Sequence, residues 1–185
     1  MASCSRPEAK AREGEQARQY NDSLLQLWKS LDQSRADWAE AISLSSPAAA
    51  GRAARQFVYE TDTLIQQLRS FPDFEGDSTL RIALIKLAEA SRTAAGRSSN
   101  TLSLLLTDVT VEEQPGDTII SADTITIDSA DPHAALIPRY LSLTRKTEKL
   151  EQEAWLNFLN AQQEFAKRHG FVLPRLRNDS VWMGG

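Results

Sequence analysis

The chain is poor in the residues that most site chemistry needs, with one cysteine (Cys4) and two histidines (His133 and His169) among 185 residues. A lone thiol cannot close an internal disulfide, and one Cys with two His cannot fill a zinc site built from several of each. Neither histidine has a glutamate three residues before it, which removes the paired Glu-x-x-His ligands of a di-iron bundle. The eight glycines are scattered, so there is no phosphate-cradling loop, and no Gly-x-Ser-x-Gly elbow presents a nucleophile. Long apolar runs are missing as well: nothing approaches the roughly 18 consecutive apolar residues of a membrane-spanning helix. Nor is there a block of positive charge. Lys+Arg 21 stand against Asp+Glu 25, and the basic residues are spread out rather than gathered to follow a phosphate backbone, so no nucleic-acid partner is expected. No cofactor is expected either.

What the sequence does have is apolar residues at helical spacing. Tyr20, Leu24, Leu27, Trp28, Leu31, Trp38, Ala41 and Ile42 recur mainly at three- and four-residue steps, predicting a first helix from about Glu15 to Leu44. Ser46 as a cap and Pro47 at the first helical position start a second. Its stripe of Ala54, Phe57, Val58, Thr61, Leu64, Ile65, Leu68 and Phe71 ends before Pro72, which disfavours helical geometry at the preceding residue. Asp77 or Ser78 caps a third helix through Leu80, Leu84, Leu87, Ala88, Ser91, Ala94, Ala95, Leu102 and Leu105, weakened by Gly96 and the Ser98–Asn100 run. The last helix starts near Pro138 and reaches His169 through Tyr140, Leu143, Thr147, Leu150, Ala154, Phe158, Ala161 and Phe165. Gly170 supplies a left-handed cap there and Phe171 its hydrophobic contact.

Four such stripes, on rods of roughly 40 Å, can bury themselves only against one another. The expected fold is therefore all-α: an antiparallel, up-down-up-down four-helix bundle spanning 15–185. An acidic insertion at about 108–131 separates helices three and four. No Lys or Arg occurs between Arg97 and Arg139, and β-branched runs suit a small hairpin. Asp117, Asp123, Asp128 and Asp131 offer oxygens to calcium, but without the spacing and central glycine of an EF-hand loop they read as a solvated acidic surface. His169, in a last helical turn, reads as a partner for the negative end of its helix rather than as a metal ligand.

The amino terminus carries the one positional signal. Ala2-Ser3-Cys4 supplies the small-small-Cys end of a bacterial lipoprotein signal, as if the chain were a truncated precursor, and "SRPEAKAREG" (residues 5–14) reads as a flexible tether. Residues 1–14 are thus a lipid-attachment site and linker. Two further stretches, "FPDFEGDSTLRIALIKL" and "LNAQQEFAKRHGFVL", together with a helix start at Tyr20-Asn21-Asp22, resemble an uncharacterised family of helical surface lipoproteins of spirochaetes and Bacteroidetes. The resemblance implies a cell-envelope location and a membrane anchor through Cys4. It brings no activity and no catalytic residues.

Trp28, Trp38, Trp155 and Trp182 are the remaining prominent side chains. Large aromatics on bundle helices usually form core; the alternative is a surface or cleft for an envelope protein or an apolar ligand. The expectation is a non-enzymatic, lipid-anchored envelope protein with a binding or structural role. The competing expectation is a soluble intracellular adaptor that pairs with a partner helix.

Overall fold

The structure, a computed structural model, describes residues 6–43, 47–107 and 136–174. These form five helices: α1 (Arg6–Lys29), α2 (Asp32–Ser43), α3 (Pro47–Ser70), α4 (Thr79–Thr107) and α5 (Leu136–His169). Among the described residues there is no strand, only a single bridge between Phe74 and Asp77. The helices pack side by side, with α4 between α3 and α5, α2 resting mainly on α3, and α1 leaning mainly on α5. The acidic insertion at 108–131, with its aspartates and expected hairpin, lies outside the described residues, as does Ser46.

α1 departs twice from its expected form. It begins at Arg6, so residues 6–14 are helix rather than a linker. Low apolar content argued for disorder, but Ala, Glu, Lys and Arg are all strong helix formers. Docking finishes the job: a Cβ on Gly14 would stand 3.1 Å from the Gly170 carbonyl oxygen, so the absent side chain lets α1 run against the end of α5. Tyr20-Asn21-Asp22 consequently sits in mid-helix, not at a helix start.

The second departure is a break at Ser30 and Leu31, which divides the expected 15–44 helix into α1 and α2. Here the backbone tightens, with the amides of Ser30 and Leu31 donating to the carbonyls of Leu27 and Trp28 at 3.2 and 3.1 Å. The Ser30 hydroxyl also donates to the Leu27 carbonyl at 2.7 Å, competing with the helical ladder. Asp32 then opens α2 with a negative charge at its positive end.

The core follows the expected stripes. Ala54, Phe57, Thr61, Leu64, Ile65 and Leu68 of α3 are buried against Leu80, Leu84, Leu87, Ala88, Ala94 and Ala95 of α4, and Phe158 and Phe165 of α5 complete it. Thr61 is accommodated because its hydroxyl donates to the Phe57 carbonyl at 2.6 Å. α4 runs unbroken past Gly96. Leu150 is exposed rather than inward. α5 starts two residues before Pro138, which costs nothing there because the first four amides of a helix have no acceptor within it.

The α3–α4 turn and the end of α5 meet at one end, beside α1. Glu75 (φ 49°) and Gly76 (φ 84°) have the positive values of a type I′ turn, closed by the Asp77 amide donating to the Phe74 carbonyl at 2.7 Å. Asp77 then accepts the Thr79 amide at 2.9 Å and initiates α4. At the end of α5, Gly170 takes φ 71° and the Phe171 amide reaches back to the Ala166 carbonyl at 3.1 Å, while Phe171 meets Phe165 edge-on. This is a Schellman cap with its hydrophobic contact. Tyr20 fills the middle, its ring centre 5.5–5.7 Å from those of Phe71, Phe74 and Phe165.

Candidate functional site

Of the residues singled out in the sequence, Cys4 and Trp182 lie outside the described residues. The other three tryptophans converge on the interior. Trp28 is 3% exposed and Trp38 and Trp155 are half-buried. Trp28 and Trp155 approach with ring centres 6.5 Å apart, and Trp38 stacks on Phe57 at 5.5 Å. What joins the two aromatic pairs is a residue that sequence reasoning passed over, Arg35. Its guanidinium lies 4.8 Å from the centre of Trp28 and 5.6 Å from that of Phe57, within range of cation–π attraction. The signal was readable: Trp28, Leu31, Arg35 and Trp38 follow one another at steps of three, four and three, which places Arg35 on the inward stripe.

A buried cation needs a counter-charge. Arg35 Nη2 is 3.6 Å from Oε1 of Glu151 on α5, and the hydroxyl of fully buried Ser91 on α4 donates to the same oxygen at 2.5 Å. Burial pulls the Arg35 pKa below its ordinary value, against the opposing pull of Glu151 and Asp32. The guanidinium remains the permanent cation of the set. Arg35, Ser91 and Glu151 therefore act as a polar strut joining α2, α4 and α5 across an aromatic seam. A second strut lies lower: Gln162 donates to Asn21 at 2.8 Å between two buried side chains of α5 and α1.

Two open grooves flank α3. One, of about 470 Å³ between α2 and α3, is lined by Gln33, Asp37, Glu60 and Gln67 among others. The second, of about 590 Å³ between α3 and α4, includes Arg55, Asp62 and Asn100. Tyr59 belongs to both and is 69% exposed.

The end where the turns meet holds a cluster of charged side chains around Asp77. Burial works against ionisation of Asp77, but hydrogen bonds from the Thr79 hydroxyl and amide, His169 and Arg168 outweigh it and hold its carboxyl well below the usual range. Arg168 contacts Asp77 Oδ2 through Nε at 3.1 Å and Nη2 at 2.8 Å, and His169 Nε2 lies 3.2 Å from the same oxygen. Glu13, Glu75 and His169 are the group among the described residues whose donor atoms come close enough to share a metal ion. No helix of the described residues is long and apolar enough to cross a membrane. Comparison of the chain with family models, curated proteins and solved structures returns no match.

Proposed function

We propose that this is a non-enzymatic protein of the bacterial cell envelope, held at a membrane by a lipid on Cys4, whose helices form an up-down-up-down bundle that binds a partner or gives structural support. In that arrangement α1 and α2 together make the first arm. The observation that carries the reading is Ala2-Ser3-Cys4 standing immediately upstream of α1. With α1 helical from Arg6 and docked by Gly14, residues 6–14 form a stiff rod of about 12 Å rather than a loose thread. The bundle would thus stand with its α3–α4 turn toward the lipid surface.

Metabolic labelling of the full-length precursor with an alkyne fatty acid tests the anchor. Label is expected on the wild-type protein and absent from Cys4→Ala; no label, or label that survives the substitution, removes the proposal. A soluble helical adaptor is the second reading, favoured by exposed Tyr59 between two grooves beside α3. A native start at Met1 with the protein recovered wholly in the soluble fraction would favour it.

A further inference from the structure

His169 is held in an unusual way for a residue at a helix end. Its ring packs between Phe74 and Phe165, with centres 4.9 and 4.5 Å away, and is 13% exposed. Nε2 of His169 faces Asp77 Oδ2 at 3.2 Å, the same carboxylate oxygen that accepts from Arg168, so Nε2 is the ring nitrogen placed to donate. In the neutral ring Nδ1 is then an acceptor. That atom is buried and has no hydrogen-bond partner; what faces it is Oε1 of Glu13, at 3.6 Å, with Glu75 nearby. Three possible ligand atoms thus come together, all within 4.8 Å of one another. The guanidinium of Arg168, next to His169 in the chain, is committed to Asp77.

We propose that Glu13, Glu75 and His169 form a binding site for a divalent cation of the zinc class, which clasps the amino-terminal part of α1 to the α3–α4 turn and the end of α5. Each ligand comes from a different one of these three elements. One imidazole nitrogen and two carboxylates suit zinc with an open fourth position, whereas calcium takes six to eight oxygens. Asp77 plays the supporting part usual for such sites: a carboxylate on the far nitrogen fixes the tautomer and raises the basicity of the ligating one. The two carboxylates balance the charge of the ion.

The donor atoms lie within 4.8 Å of one another. Tetrahedral zinc, with bonds of about 2.0–2.1 Å, draws its ligand atoms to about 3.3 Å apart. The contraction falls to the glutamates, since Glu75 is exposed, the Glu13 side chain is 42% exposed, and His169 is fixed by its neighbours. Gly14 makes the approach of Glu13 feasible by letting α1 pass against Gly170. The inference does not rest on the lipid anchor.

The test uses the full chain with Cys4→Ser and His133→Ala, which removes the single thiol and the other imidazole that could bind metal. Zinc titration by calorimetry is expected to give one saturable equivalent and a rise of several degrees in the thermal midpoint. Glu13→Gln with Glu75→Gln should weaken binding by at least about tenfold at unchanged helicity, and Glu75→Gln alone gives a second reading at an exposed turn. Cobalt should show the visible absorption of a four-coordinate site, lost in the double variant. No saturable binding, equal affinity in the glutamine variants, or displacement of zinc by equimolar calcium would each overturn the proposal.

Discussion

Asp77 shows how much one side chain can organise. One carboxylate starts α4, anchors Arg168 and fixes His169, in contacts that span as many as 92 residues of sequence. Its role as a helix start was readable from "GDSTL", because a cap is local. Its partners were not, because nothing in a linear pattern announces that the end of α5 will arrive beside it. The same limit hid Glu13 and Glu75, which look like ordinary surface glutamates until three elements meet. The depressed pKa fixes the direction of acid sensitivity. Unfolded, the group titrates near about 3.9; folded, it titrates lower, so its stabilisation is complete above the unfolded value and is lost as pH falls through the folded one. Thermal melts between neutral pH and about pH 3 should show the wild-type midpoint falling in acid. Asp77→Asn should start lower and fall less; an identical slope would mean that the carboxylate is not the group responsible.

At the scale of elements, the apolar stripes of α3, α4 and α5 were legible because burial repeats every turn, and the Gly170 cap was legible because only a few residues tolerate positive φ. Helix limits were less so. The start at Arg6 was obscured by reading low hydrophobicity as disorder, when strong propensity and one well-placed glycine suffice. The break at Ser30 depends on a hydroxyl that competes with the backbone, a choice settled by packing on both sides. The docking of α1 can be measured directly. Gly14→Ala gains about 1 kcal/mol of helix propensity and loses some of it to the 3.1 Å approach to Gly170, so it should leave stability nearly unchanged. Gly14→Leu cannot be accommodated against that backbone and should cost about 1–3 kcal/mol in urea unfolding. Equal behaviour of the two variants would show that α1 is not docked there.

For the whole molecule, stability is not spread evenly. α3 and α4 share the most extensive interface and α4 shares another with α5, while α2 rests mainly on one neighbour and is held to α5 through Arg35 and Glu151. Amide exchange followed by mass spectrometry should therefore be slowest in the middles of α3 and α4 and distinctly faster in α2. Uniform protection would indicate that the Arg35 strut couples α2 fully to the rest. The struts also restrict how the helices can slide: moving α5 by one turn would take buried Ser91, Asn21 and Gln162 away from their partners across the helices, at about 1–3 kcal/mol for each group left unsatisfied.

The contact between Asn21 and Gln162 spans 141 residues, and that separation carries a consequence for biosynthesis. A ribosome releases the first of these amides long before it has made the second. Through most of translation the opening helix has no mate for the polar atom on its inward face, and it must wait, wetted or chaperoned, while three later segments assemble. Closure of this contact therefore waits for α5, and a polypeptide interrupted before that helix is left ajar along its earliest one.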